Sequence, residues 1–188
     1  EMTDRLVELF NKTGLRQISF DGLEGLSTYG YGEYARNRFV KESIQRSHQE
    51  VINDASNLLH YLWHIHTRMN WGEPWGRAMR EGQPESRFRN QAYFARNLFP
   101  PMLGWFQFRT VSPKLEATTL SDIEWALSKA AGFNAGFALV AEPSAFKVNE
   151  QGPAVIAAIR EWEKARHAGA FSPAQRERLR APGGEWHL

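Results

Sequence analysis

Two rhythms of apolar and polar positions alternate along this chain. Short apolar runs of strand length are separated by longer stretches in which apolar residues recur three or four positions apart, the spacing of a helix face. The first such stretch, residues 2–13, predicts a helix that stops at Gly14, a residue suited to the left-handed C-cap. Residues 15–20 then form a compact apolar run that leads directly into Asp21, followed by a glycine-rich loop over 21–32. Helical spacing returns over 33–47 through Tyr34, Phe39, Val40 and Ile44. A second strand is predicted over 50–55, and helical character again over 58–69.

The second half repeats the rhythm. After the loop 70–76 and a polar stretch over 77–89, residues 90–98 predict a helix stopped by Pro100 and Pro101. Residues 102–108 read as a third strand. Ser121 and Glu124 stand in capping-box spacing at the head of a helix that runs through 131 and closes on Gly132. A fourth strand over 135–141 ends at Glu142. Pro153 suits the first turn of the last long helix, which ends near Gly169. Residues 170–188 read as a short helical turn and an exit segment.

Strands that are apolar nearly throughout and separated by helices imply a parallel sheet in an α/β fold. One helix followed by four βα units predicts the C-terminal half of a (β/α)8 TIM-type barrel over residues 1–170, with 171–188 leading out of it. A nucleotide-binding open sheet loses ground, since no Gly-x-Gly-x-x-Gly and no Walker motif joins a strand to a helix.

Composition narrows the function. With 188 residues and 42% hydrophobic positions, the chain can bury a core of its own. Its 23 basic and 21 acidic side chains leave a net charge of only +2, which lends no support to nucleic-acid binding. No apolar run approaches the length of a membrane span. Cysteine is absent, so disulfides and thiolate metal sites are excluded. Seven tryptophans are many for this length, and Trp71, Trp75 and Trp105 stand beside glycines and loop signals.

In a barrel the C-terminal strand ends open on one mouth. Those ends carry Asp21 and Glu24, then Asn53 and Asp54, then Trp105 through Arg109, then Glu142, with Glu33, Trp71, Glu73 and Trp75 on loops that can reach the same rim. Two carboxyl groups flanking a bond are what glycoside hydrolysis needs. Tryptophan faces stack on sugar rings while Asn, Arg and His bond their hydroxyls. The candidate acids are Asp21, as nucleophile or base, and Glu73 or Glu24 as proton donor. Trp71, Trp75, Trp105, Asn53, Asp54, His64 and Arg109 are candidates for holding the sugar. Each acid also has a plain structural role open to it: Asp21 in a turn, Asp54 at a helix N-cap, Glu73 in a packed corner. His60 and His64 share a helix face at i, i+4, but no Glu stands next to them in the His-Glu-x-x-His sense, and no metal or cofactor is expected.

The run Ile18-Ser-Phe-Asp-Gly-Leu-Glu-Gly25, its glycine-rich continuation and Asn70-Trp-Gly-Glu-Pro-Trp75 together resemble the catalytic barrels of melibiase-like glycoside hydrolases, found in large bacterial glycan-degrading enzymes. The resemblance covers residues 15–110 at the level of motifs and the remainder by βα rhythm alone. It implies a carbohydrate substrate and a secreted, periplasmic or cell-surface protein. It also implies a preceding half-barrel and a following β-sandwich in a longer chain. In such families an Asp at the end of the fourth strand is the nucleophile, and Asp21 matches that role. The proton donor, two strands later in the family, has no clean match, because the strand 102–108 runs into Arg109 without a carboxylate. Asp54 and Glu73 are the acids left for it. The rivals are a non-catalytic carbohydrate-binding barrel and a metal-dependent hydrolase.

Overall fold

The structure, a computed structural model, describes residues 1–23, 30–55, 62, 64–69, 76–81 and 84–188. Helices and parallel strands mix along the chain, as the sequence predicts, and the residues fall into two compact units. The first holds residues 1–71 and 97–99, the second 72–96 and 100–188.

The first unit opens with α1 (Met2–Thr13), which buries Val7 and Phe10 and is stopped by Gly14 in the left-handed region at φ 69°. Then come β1 (Gln17–Phe20), α2 (Gly32–Gln45), β2 (Ile52–Ala55) and the two-residue β3 (Arg68–Met69). The strands pair in chain order, all parallel, with Phe20 opposite Ala55 and Ala55 opposite Met69. Side chains alternate across a sheet, so Phe20, Ala55 and Met69 share one face, and all three are buried. Phe20 meets Phe39 of α2 edge to face at 6.1 Å, which identifies this as the helix-covered face. The other face carries Gln17, Ser19, Asp54 and Arg68. Polar groups tie α1 to the chain after α2: Gln49 donates to the carbonyls of Phe10 (2.9 Å) and Leu15 (2.7 Å), and Arg46 pairs with Asp4 at 2.8 Å.

The second unit contains α3 (Pro84–Arg96), β4 (Met102–Phe108), α4 (Leu120–Phe133), β5 (Gly136–Ala141), α5 (Pro143–Val148), α6 (Gly152–His167) and α7 (Pro173–Arg180). β4 and β5 are parallel neighbours, with a bulge between Met102 and Trp105 where Gly104 takes φ 89°. Leu103, Phe106 and Phe108 point into a core built with Trp125, Leu127, Val155, Trp162 and Leu179. Phe106 meets Trp125 of α4, and Phe108 stacks on Phe146 of α5 at 4.4 Å. α3 reaches the same face through polar groups. Arg87 lies over the Phe106 ring at 4.3 Å and donates to the Leu103 carbonyl at 2.8 Å, while Gln91 donates to that of Met102. Trp105, Gln107, Ala138 and Val140 occupy the opposite face.

Helix α4 is the hub of this unit. Thr119 caps it in a reciprocal box with Asp122, two residues before the expected Ser121. The Lys129 side chain is fully buried and donates to the carbonyls of Ala181 (2.6 Å) and Gly184 (3.1 Å), and Trp125 donates to that of Pro182. The segment after α7 is thus stitched to α4, and His187 adds a bond to the buried Glu124.

Several elements differ from expectation. Residues 64–67 form a turn and an irregular link into β3 rather than the end of a helix. α3 starts at Pro84, inside the polar stretch, and Glu142 opens a further short helix, α5. Among the described residues the strands form a three-stranded and a two-stranded parallel sheet, with no closed barrel.

Candidate active site at the strand ends

In the first unit the ladder sets the position of each candidate. Asp54 stands opposite both Ser19 and Arg68 on the face away from α2. Its carboxylate is buried, and one oxygen, Oδ2, takes Nε of Arg68 at 3.0 Å and Nη2 at 2.9 Å. The other oxygen, Oδ1, is buried with no hydrogen-bond partner among the described residues. Asp21 lies just past the end of β1. It is exposed, and its Oδ1 accepts the backbone N–H of Gly22 at 2.8 Å, the turn role open to it. Continuing the alternation of β1, position 21 falls on the same face as Ser19 and Asp54.

Asn53 faces the other way. Its amide nitrogen donates to the Ile65 carbonyl at 3.1 Å, which turns its oxygen towards Nδ1 of His66 at 2.7 Å. That oxygen can only accept, so His66 carries its proton on Nδ1. Nε2 is left bare, buried and without a partner among the described residues. Burial pushes the imidazole down to about 4, so the ring is neutral at physiological pH. The ring meets Phe20 at 6.2 Å on the helix-covered side. Asn53 and His66 therefore serve the packing of the sheet. His64 is exposed in the turn before β3, at the end of the sheet where that strand begins. It lines an open groove with Lys41, Ile44 and Gln45 of α2 and is thereby separated from the rim that holds Asp21.

The second unit has a rim of its own. Beyond β4 and β5 a recess of about 230 Å³ is lined by Gln107, Arg109, Thr110, Ser112, Glu142 and Ser144. Arg109 is held from several sides. Its backbone N–H donates to the Thr118 hydroxyl at 3.0 Å, and its carbonyl accepts from Asn149 (3.0 Å) and from the Thr118 N–H (3.1 Å). Nη1 donates to the Gly76 carbonyl at 2.9 Å. Nε and Nη2 are buried and have no acceptor among the described residues. Burial lowers the guanidinium below its ordinary pKa, with Asp122, Glu81 and Glu116 acting against it. Trp105, two positions before Gln107 on the open face of β4, is half-buried, and its indole N–H has no acceptor among the described residues. Glu142 forms the N-cap position of α5 and accepts from Ser144 at 3.4 Å.

The structure thus joins Asp54 to Arg68 in one unit, and Gln107, Arg109 and Glu142 in the other. Glu24, Trp71, Glu73, Trp75 and His60 lie outside the described residues. Glu33 sits in the first turn of α2, 3.5 Å from the buried Arg36. Arg68 was not singled out by sequence, and Gln107 only as part of the strand end 105–109, because only strand register shows what they face. Among the described residues no three His, Asp or Glu side chains converge as a metal site. No described helix is long and apolar enough to cross a membrane. No family model, no curated protein and no solved structure matches this chain.

Proposed function

We propose that the protein is a glycoside hydrolase whose chain supplies about four βα units of a (β/α)8 barrel, cleaving a glycosidic bond of a poly- or oligosaccharide outside the cytoplasm. The observation that carries this reading is the one-sidedness of the sheets. In each unit the parallel strands pack one face against helices and leave the other less covered, as an incomplete set of barrel strands would on the side that the remaining strands enclose. Strand neighbours in chain order fit the same architecture. The sequence resemblance to melibiase-like barrels points to the same chemistry.

Asp21 and Asp54 are the described acids at the β1–β2 rim. Asp54 stands on β2 opposite Ser19, and Asp21 follows Ser19 by two residues, just past the end of β1. With strands about 4.8 Å apart and two residues of strand spanning about 6.6 Å, such positions lie about 8 Å apart, inside the roughly 5–9.5 Å spanned by glycosidase carboxyl pairs. Asp21, exposed at the rim, acts as nucleophile or base. Asp54 and Glu73 are the acids that remain for the second role, with Trp71, Trp75 and Trp105 as sugar platforms. A non-catalytic sugar-binding barrel is the second reading, favoured by the hydrogen bond that occupies Asp21 in the Gly22 turn.

The deciding experiment is reducing-end release from a panel of oligosaccharides by the protein and its Asp21→Asn, Asp54→Asn and Glu73→Gln forms. Hydrolysis that disappears in Asp21→Asn while sugar binding persists supports catalysis. Binding without hydrolysis by a complete barrel that includes this chain supports the second reading, since four βα units alone are expected to be inactive under either. Turnover that survives in Asp21→Asn removes Asp21 from the mechanism.

A further inference from the structure

Asp21-Gly22 is the one Asp-Gly step in the chain, which has no Asn-Gly. The step stands just beyond the first sheet. The register of β1 with β2 ends at Phe20 and Ala55, and the two residues after Phe20 are exposed. The hydrogen bond of the turn, 2.8 Å from the Gly22 nitrogen to Oδ1 of Asp21, lays a backbone nitrogen against the carboxyl group of the side chain before it. Separations near 3 Å are those of reacting groups held for attack. Gly22 takes φ 70°, a conformation open to glycine. A Cβ placed there would meet no atom of the described residues within 4 Å, so nothing crowds the nitrogen on that side.

The other aspartates are placed differently. Asp4 lies in α1 and Asp122 in α4, and the residues after them, Arg5 and Ile123, donate their N–H groups to the carbonyls of Glu1 and Thr119. Asp54 lies in β2, and the following Ala55 is held in the ladder on both sides.

We propose that Asp21 is a site of spontaneous modification, at which the chain isomerises through a succinimide to isoaspartate. The Gly22 nitrogen bonds to Cγ of Asp21, and the carboxyl hydroxyl leaves with the amide proton as water. Solvent water then opens the ring. Cleavage between the nitrogen and Cγ restores aspartate, whereas cleavage between the nitrogen and the α-carbonyl carbon leaves isoaspartate. One water is lost and one gained, so the mass does not change. In the product the main chain runs through Cγ and is one methylene longer, and the free carboxylate sits directly on Cα. This chemistry does not depend on the glycosidase reading, but it withdraws from the rim the carboxylate that the reading uses.

The test is incubation of the native protein for several weeks at neutral pH and physiological temperature, followed by trypsin. Cleavage after Arg16 and Arg36 releases residues 17–36, which hold a single aspartate and no asparagine, so isoaspartate in that peptide reports Asp21 alone. It is read as a second peak of equal mass that accepts a methyl group from S-adenosylmethionine through an isoaspartate methyltransferase. A synthetic peptide of residues 17–36 gives the rate of the unconstrained chain. Isoaspartate should build up in the native protein within several-fold of that rate, while the peptides that carry Asp4, Asp54 and Asp122 stay unchanged. Gly22→Ala, whose Cβ crowds the nitrogen, should lose most of the product, and Asp21→Glu, which would need a larger ring, should lose all of it. Asp21→Asn should convert faster, with ammonia as the leaving group, and return aspartate together with isoaspartate, visible as a gain in mass. Thermal melting shows whether the variants remain folded, and the parent protein decides the matter if they do not. No isoaspartate in the native protein over a period in which the synthetic peptide acquires it means that the fold protects Asp21, and overturns the proposal. Equal conversion at Asp4, Asp54 or Asp122 removes the role of the Gly22 turn and overturns it as well.

Discussion

Arg68 grips a single oxygen of Asp54 with two nitrogens, at 2.9 and 3.0 Å, and the second carboxylate oxygen has no hydrogen-bond partner among the described residues. The pair spans neighbouring strands β2 and β3. Its acid is shut in at 6% side-chain exposure, while its base remains 39% open to solvent. This asymmetry sets the energetics. Removing the base strands a buried charge, whereas solvent already weakens what the base itself gains. Arg68→Ala should therefore destabilise the protein by about 1–2 kcal/mol in urea melts, while Arg68→Ala combined with Asp54→Ala should lose less than the sum of the single changes by about 1 kcal/mol. Strict additivity would show that the pair contributes nothing beyond its separate parts.

His66 makes the first unit sensitive to acid. Its folded pKa of about 4 lies below the ordinary 6.5, so the unfolded chain binds more protons between those values. Its contribution to stability is complete above pH 6.5. It declines as the pH falls and is fully lost below about 4, a change on the order of 3 kcal/mol. His66→Gln, which retains a donor towards Asn53, should flatten this limb of the stability–pH curve. An unchanged limb would assign the acid loss to carboxylates instead.

Lys129 acts at the alkaline end. Burial lowers it to about 8 from 10.5, against the pull of Glu185 and with the push of Arg80. Both states are protonated below pH 8. Between about 8 and 10.5 the folded form sheds the proton first, so the second unit gains stability as the pH rises through that window. Lys129→Met should abolish the gain. It should also free the segment after α7, because the carbonyls of Ala181 and Gly184 lose their shared donor. Hydrogen exchange over residues 181–188 reads that release, and slow exchange there in the variant would contradict it.

Trp105 tests the sugar platform apart from catalysis. Its ring stands on the open face of β4, so Trp105→Ala should weaken oligosaccharide affinity about tenfold while leaving the melting temperature within a few degrees. A large loss of stability with unchanged affinity would assign the ring to packing.

The parts of the fold legible in the sequence are those whose partners are local. Residues 102–108 match β4 end to end, because an apolar run stopped by two prolines on one side has few alternatives. The long helices α4 and α6 follow from their spacing and their first-turn signals. What escaped depends on partners distant in sequence. β3 is two residues long and exists only because Asp54 and Ala55 lie beside it. The early turns of α3 look polar because the side chains they bury are Arg87 and Gln91, which no hydrophobic period reports. The capping box moved from Ser121 to Thr119 because adjacent Ser and Thr offer competing starts, and Asp122 selects the earlier one. At the site the sequence located Asp54 and Arg109, but not the guanidinium on the first or the Gly76 carbonyl and Thr118 that hold the second.

The bulge at Gly104 sets a constraint that residue identities do not reveal. From Met102 to Trp105 the chain advances three positions while β5 advances two, from Gly136 to Ala138. The extra residue works as a phase shifter: it allows Leu103 to point into the core although Phe106 and Phe108, an odd and a larger odd number of steps away, point there too. Deleting one residue in this stretch would turn its upstream part by half a rotation and carry Leu103 out of the core. No side-chain replacement at position 103 could restore that. The number of residues between Pro101 and Trp105 is thus less free to change than the residues themselves, and inherited variation in β4 should run through substitution and not through length.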